Sequence, residues 1–395
     1  MRRLAYLFER FPSFGQTFCY REVAELERQI GPVSLFSIRT PADEPLQNWD
    51  SDIVRRVDYL PAEGPLVKEI DRAARAGELP GEAVRTLKEW GRQPDFLRLY
   101  QATYVGLRLR KQGVERLHAH FAGMAARTAY WISKFFGIPF SFTAHANDIF
   151  APRDFAVSLP KLLEEAVAIV SVSDFAVEHL GKRFPHARPK LHRVYNGIDL
   201  AAFRPSDFAA PVPLIVSIGR LIEKKGFADL ISACRIVKAK GRDLRCEIIG
   251  EGPLERTLAA QIVEAGLQQG VQLVGPKTQV AIAERLATAN LFVLACTTEA
   301  EGGMDNLPTV IMEAMAAGLP VISTSLAGVP EMVEPGVTGK LVPPGDSAAL
   351  AEAIEALLSD PAVARALGAK GRDLAATRFS AEANVRALVA ILSMR

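Results

Sequence analysis

The chain has 395 residues, too many for one ordinary core and enough for two domains of about 150–200 residues each. With 49% hydrophobic and 23% charged residues it has the composition of a globular protein, not of a disordered or fibrous one. Its 47 basic and 45 acidic residues leave a net charge of +2, which argues against a nucleic-acid binder held by phosphate contacts.

The first residues, "MRRLAYLFERFPSF", are basic but lack the long apolar run of a signal peptide. No stretch of about 18 uncharged apolar residues follows, so no membrane-spanning segment is expected. The four cysteines (Cys19, Cys234, Cys246, Cys296) are far apart and form no CxxC pair, which reads as reduced thiols and a cytoplasmic chain.

Strand-like apolar runs alternate with helical patterns. "LAYLF" (4–8), "VSLFSI" (33–38), "RLHAH" (116–120), "PFSFTAH" (139–145) and "AIVSVS" (168–173) have strand length and composition. "QTFCYREVAELERQI" and "GMAARTAYWISKFFG" between them carry helical spacing, the second closed by Gly137. The region 62–112 is helix-rich and basic and reads as an insertion. "FRPSDFAAPVP" (203–213) has three prolines and no periodicity, so it reads as a linker. The alternation then restarts with "LIVSIG", "LRCEIIG", "VQLVG", "LFVLAC" and "PVIST", and the tail from Asp346 is helical. This order predicts an α/β chain with two doubly wound parallel sheets, whose ligands sit beyond the strand carboxyl ends in the cleft between domains.

Several motifs fall at those strand ends. In "SIGRLIEKKGF", Arg220 and Lys225 follow Gly219 and suit a diphosphate, Arg through its fork and Lys as a point charge; a solvated basic loop is the rival reading. "IIGEGPLER" resembles a fragment of GxGxxG, but Glu255 takes the third glycine position, so Gly250 and Gly252 read as a tight turn near a ligand or a neighbouring loop. In "MDNLPTVIMEAMAAGLPVI" Pro308 belongs to a helix start, Asn306 is a plausible cap, and Gly318 ends the helix. Asp305 then precedes the helix and Glu313 lies in its second turn, among apolar neighbours. A lone carboxylate there needs donors, either sugar hydroxyls or a core arginine. The helix start itself is suited to anions. Gly302 and Gly303 let the preceding loop bend.

In the first domain, His118, His120 and His145 come at strand ends beside the same cleft. They invite a zinc reading, but no firm fourth ligand accompanies them, and neutral imidazoles bonded to hydroxyls or backbone are the expectation. Asp148 could hold a histidine or cap a helix. Gly15, with Gln16 and Thr17, opens the first strand–helix turn, a place for an anion or an ordinary turn. "DSD" (Asp50 to Asp52) reads as a loop or helix cap, not as a metal pair.

Taken in this order, "FPSFGQTFCYREVAELE", "HAHFA", "FTAHANDIF", "VSVSDF", "VYNGID", "IVSIGRLIEKKGF", "IIGEGPLE", "VQLVG" and the run from "DNLPTVIMEAMAAGLPVI" to "GVPEMVEPGVTGKLVPPGD" resemble the retaining glycosyltransferases of family 4, and the N-terminal part its exopolysaccharide and colanic-acid branch. The resemblance implies the GT-B fold, two Rossmann-like domains facing a central cleft with a C-terminal helical tail. It places the acceptor domain at 1–205 and the donor domain at 206–379, with the helix 380–395 packing back on the first.

The implied activity is retaining, metal-independent transfer of a hexose from a UDP- or GDP-linked donor to a glycan or lipid-linked hydroxyl acceptor, with no cofactor. Arg220 and Lys225 would hold the diphosphate and Glu313 the ribose. Asp305 stands where the family has the first Glu of its paired-acid motif, and Asn306 where it commonly has glycine. His145 would lie near the sugar and Gly15 near the phosphates. The backbone from Asn306 through Leu307 to Thr309 would cradle phosphate or sugar oxygens, beside Gly219. His120 and Asp148 are candidate acceptor or sugar contacts. The rival activities are a nucleotide-sugar 2-epimerase of the same fold and a non-catalytic nucleotide-sugar binder. The basic stretch 98–116 could lie on an anionic membrane surface, making the chain peripheral on the inner face of the plasma membrane.

Overall fold

The structure is a computed structural model that describes residues 3–394 except 43, 46, 92 and 151–154. The first half runs β1 (Leu4–Arg10), α1 (Thr17–Ile30), β2 (Ser34–Arg39), α2 (Ser51–Arg55), β3 (Val57–Tyr59), then α3 (Glu63–Arg75), α4 (Gly81–Trp90) and α5 (Phe96–Gln112). It continues with β4 (Arg116–His120), α6 (Met124–Phe136), β5 (Phe140–Ala144), α7 (Ala146–Phe150), α8 (Leu159–Glu165), β6 (Ala168–Ser171), α9 (Asp174–Arg183) and β7 (Leu191–Arg193). The second half holds β8 (Leu214–Ile218), α10 (Phe227–Ala239), β9 (Arg245–Ile249), α11 (Glu255–Glu264), β10 (Val271–Leu273), α12 (Gln279–Leu286), β11 (Leu291–Leu294), α13 (Thr309–Ala316), β12 (Val321–Thr324) and β13 (Gly339–Val342). Three helices close it: α14 (Ser347–Ser359), α15 (Pro361–Arg378) and α16 (Ala381–Ser393).

The strands form two sheets, β3-β2-β1-β4-β5-β6-β7 and β10-β9-β8-β11-β12-β13, paired in parallel throughout. Strands such as β4, β5, β8 and β11 are buried along their whole length, as expected where helices cover both faces of a sheet. In each sheet the strand order reverses beside its first strand, between β1 and β4 and between β8 and β11. A doubly wound sheet opens a crevice there, at the carboxyl ends. The loops after β1, β4, β8 and β11 therefore decide what the cleft can hold.

The first sheet has a core on each face. One packs Phe36, Leu99, Ile132 and Phe142 with the inserted helices. The other joins Tyr6, Phe8, Val23 and Leu26 to Leu388 and Ile391 of α16, so the last helix lies on α1, across from the domain that precedes it. The backbone passes between the halves at one spot: the amide of Ile198 donates to Phe379, and that of Ala381 donates back to Ile198.

The sequence pattern missed β3, β7 and β13. Two of these strands have three residues and one has four, too short for alternation to register. The stretch 98–116, offered above to an anionic membrane surface, is largely packed into the first domain. Helix α5 buries Leu99, Ala102, Val105 and Leu109 against its neighbours and also buries Arg98, while Arg116 lies inside β4. Arg108 bridges Asp58 and Glu69, at 3.2 Å each. The apolar face that lipid would need is already committed to the protein core. Among the described residues, no helix is long and apolar enough to cross a membrane. Asp50 accepts from the amide of Asp52 and caps α2, as a cap reading of "DSD" requires.

Candidate active site

The loop after β8 is shaped by glycines. A Cβ on Gly250 would sit 1.9 Å from the carbonyl oxygen of Gly219, and one on Gly252 would lie 2.6 Å from that of Leu221. The broken GxGxxG therefore serves to press β9's turn against the β8 loop. Gly226 has φ +64°, and its Cβ would collide with the carbonyl oxygen of Ala295 at 1.7 Å. That close approach fixes Lys224 and Lys225 beside the loop after β11. Lys225 Nζ donates to Asp305 Oδ2 at 2.5 Å, and Lys224 Nζ lies 3.9 Å from Asp305 Oδ1. Burial alone would lower the Lys225 ammonium; the Asp305 carboxylate outweighs it and raises the group above its ordinary value. Lys224 also donates to Asn147 Oδ1 across the cleft at 2.8 Å. Arg220 is exposed at the same mouth.

Helix α13 begins at Thr309 with Pro308 as its cap, and Asn306 does not cap it. Asn306 is instead a domain contact: Ser173 Oγ donates to its Oδ1 at 2.6 Å, and its backbone carbonyl accepts from the amide of Gly328 at 2.9 Å. Its Nδ2 is buried without a partner among the described residues. Leu307 is buried in the second-domain core, and Thr309 is half-buried at the helix start. Glu313 is 4% exposed, and its Oε1 accepts from Arg21 at 2.5 Å. Of the two donors the sequence left open for this carboxylate, the structure shows an arginine, supplied by α1 of the opposite domain.

The facing wall comes from β1, α1, β4 and β5. Gly15 is exposed in a single 3-10 turn, with no atom within 4 Å of where a Cβ would stand. His118 is buried between two hydroxyls, Ser141 at 2.8 Å and Thr143 at 3.0 Å. Burial, and then the charge of His120, hold it well below the ordinary histidine range. His120 Nε2 is 3.0 Å from Glu22 Oε1, and its Nδ1 lies 3.3 Å from His145 Nε2 and 3.5 Å from Cys19 Sγ. Glu22, His118 and His120 are close enough to share one cation, but hydroxyls engage both His118 nitrogens. Asp148 accepts from the amide of His145 at 2.9 Å. Burial raises its carboxyl to about 6, against the pull of the amides of His145 and Ala122. So Asp148 holds the backbone of His145, and His120 stands behind that ring.

The fold thus gathers Gly15, His120, His145 and Asp148 on one wall and Gly219, Arg220, Lys225, Asp305, Asn306, Thr309 and Glu313 on the other. Sequence reasoning missed Arg21, Glu22, Lys224, Asn147 and Ser173. A signal existed for two of them: Cys19 and Glu22 are three apart on one helix face, and the adjacent Arg21 is charged where α1 meets the cleft. A further contact joins the walls. The amides of Asp174 and Phe175, at the start of α9, donate to Glu331 at 2.8 Å each, and Tyr195 donates to it at 3.0 Å.

Comparisons with known proteins agree with this geometry. The family described as Glycosyltransferase Family 4 matches residues 16–202, and that described as Glycosyl transferases group 1 matches 201–374. The colanic acid biosynthesis protein WcaL of Escherichia coli (strain K12) is 42% identical over 171 residues, which are 43% of this chain and 42% of that one. The amylovoran biosynthesis glycosyltransferase AmsK of Erwinia amylovora is 46% identical over 137 residues, 35% of this chain and 34% of that one. The matched stretch therefore spans less than half the length of either relative. Among solved structures, Anabaena Alr3699/HepE in complex with UDP aligns with a TM-score of 0.73 at 18% identity, over 99% of each chain. Sucrose-phosphate synthase from Thermosynechococcus elongatus aligns with a TM-score of 0.75 at 20% identity, over 99% of this chain and 98% of that one. With both halves matched in order and the sheets arranged as described, the chain belongs to the family 4 glycosyltransferases and carries their two-domain GT-B fold.

Proposed function

We propose that this glycosyltransferase works with retention and without a metal ion, moving a hexose from a nucleoside-diphosphate sugar to a hydroxyl acceptor in exopolysaccharide or glycolipid synthesis. The observation that carries the reading is the cation set Arg220, Lys224 and Lys225, gathered by the Gly226 turn at the end of β8 opposite the start of α13. Fixed positive charge and helix amides at one cleft stabilise a departing diphosphate electrostatically. In this reading Asp305 trades Lys225 for sugar hydroxyls when the diphosphate arrives, and Glu313 shares or exchanges Arg21 for the ribose. His145 and Asp148 line the sugar side, and Gly15 leaves room for phosphate oxygens. The structures of Anabaena Alr3699/HepE in complex with UDP and with UDP-glucose support a nucleotide-sugar donor, and the names of WcaL and AmsK support a polysaccharide acceptor. Asp305, a methylene shorter than the family's usual Glu, is where the choice of donor sugar would diverge.

The test starts from a panel of UDP-, GDP- and ADP-sugars ranked by thermal shift, since a bound donor stabilises by mass action. With the best donor and a glycan acceptor, Arg220→Ala and Lys225→Ala should each lower kcat by about a hundredfold or more. Wild-type rates in both variants would remove the phosphate assignment. The anomeric configuration of the product, read by NMR, tests retention, and unchanged rate in EDTA tests metal independence. Donor incubated without acceptor separates transfer from 2-epimerisation.

A further inference from the structure

Behind His145 lies a buried polar chain that donor binding does not require. Glu22 sits on α1, His120 at the end of β4 and His145 just past β5. Their side chains are joined in series, Glu22 Oε1 to His120 Nε2 at 3.0 Å and His120 Nδ1 to His145 Nε2 at 3.3 Å. Tyr6 donates its hydroxyl to the same Glu22 oxygen at 3.0 Å. The chain is stacked between rings: Phe8 lies 5.2 Å from His120, and Phe18 and Phe121 lie 5.0 and 4.3 Å from His145. His120 is 1% exposed and His145 7%. A polar series this deep in an aromatic core is costly unless each member is satisfied, and in that state it fixes one arrangement of hydrogens.

We propose that Glu22 and His120 are positioning residues for His145, setting both the orientation of its ring and the nitrogen that carries its hydrogen. The inference rests on the reading of His145 as a sugar-side group. A carboxylate only accepts, so His120 Nε2 must carry a hydrogen toward Glu22. The hydrogen on Nδ1 then decides the rest. With it, His120 donates to His145 Nε2, and the neutral His145 ring carries its own hydrogen on Nδ1. Without it, His145 must donate from Nε2, and its Nδ1 becomes an acceptor.

The surroundings choose the first arrangement. Burial would lower His120, but Cys19 and then Glu22, both on α1, raise it. Of these, the Cys19 thiol is itself raised by burial, so the charge acting at neutral pH is that of Glu22. His145 is held well below its ordinary value by burial and then by the charge of His120. The groups facing the pair are therefore Glu22 and Cys19 from α1, Tyr6 from β1, His118 from β4, and Asp148, which is bonded to the amide of His145. His145 Nδ1 has no bond to a protein partner among the described residues, and in this tautomer it is a donor suited to a sugar hydroxyl.

The experiment uses the full chain labelled with ¹⁵N-histidine, with His145 assigned by comparison with His145→Gln. Nitrogen shifts at pH 7 should show His145 neutral and protonated at Nδ1, and His120 protonated at both nitrogens. In Glu22→Gln, His120 should lose its charge and His145 should move to the other tautomer or to a mixture. Glu22→Asp should restore the wild-type pattern in part. Unchanged His145 shifts in a folded Glu22→Gln chain would overturn the inference, whatever the donor is found to be. If that variant does not fold, the wild-type shifts still decide: a hydrogen on His145 Nε2 overturns it. In transfer assays, Glu22→Gln should lower kcat about tenfold or more with donor KM within about threefold. Its rate should fall as pH rises from 6 to 8, where the wild-type rate is flat. Loss of donor affinity instead would assign Glu22 a binding role and overturn the positioning one. Should His145→Gln keep full activity, the sugar-side reading of His145 fails, while the nitrogen shifts still judge the coupling.

Discussion

At the scale of single residues, the cleft's acids are already paired with protein groups. Asp305 takes Lys225, Glu313 takes Arg21, and Asp148 takes the amide of His145. Asp148 gives a pH test. Its folded value of about 6 stands above the roughly 3.9 of an unfolded aspartate, so the native state binds a proton more tightly over that interval. Wild-type stability from this group is therefore present at low pH and lost as pH rises through about 6. Asp148→Asn removes the titration. The variant's stability minus the wild type's should be larger at pH 7.5 than at pH 4.5, read by chemical denaturation at both. An unchanged difference would mean that the carboxyl is not held neutral. Much of this scale was legible in the sequence, because glycines, prolines and charged residues at strand ends have few structural uses. The partners were not. Whether Glu313 meets a ribose or Arg21 depends on how α1 approaches α13, across nearly 300 positions of chain.

At the scale of elements, the long strands and the helices were visible from periodicity, while β3, β7 and β13 were not, since each is held by its neighbours in the sheet more than by its own pattern. Gly250 and Gly252 illustrate the same divide. Their small size was readable; that they make room for the Gly219–Leu221 loop became plain once β8 and β9 were side by side. The turn before α10 depends on one position. With φ +64° and the carbonyl of Ala295 so near, Gly226 tolerates no Cβ. Gly226→Ala should displace Lys224 and Lys225, cutting transfer by about tenfold or more and costing about 1–3 kcal/mol of stability. A transfer assay with the donor ranked first by thermal shift and a thermal melt would check both, and a variant that keeps the wild-type rate would show that the turn does not place the lysines.

At the scale of the whole molecule, the two domains meet through polar contacts: Arg21 with Glu313, Ser173 with Asn306, Asn147 with Lys224, and the start of α9 with Glu331. The Arg21–Glu313 pair is largely buried, with side chains 14% and 5% exposed. Removing one member of such a pair strands the other. Arg21→Met should cost about 3–5 kcal/mol, whereas Arg21→Met with Glu313→Met should lie closer to wild type. Urea denaturation of the wild type, the two single variants and the double variant completes the cycle. Additive losses would show that the two side chains do not sense each other in solution.

The crossing at Ile198 and Ala381 has a mechanical consequence. Two backbone segments, one leaving the first domain and one returning to it, lie side by side, clasped by their own amides, and a Cβ on Gly197 would stand 2.4 Å from the Cα of Ala381. Such a doubled strap resists twisting and sliding far more than bending. The jaws of the cleft can then separate along one arc, as a book opens about its spine.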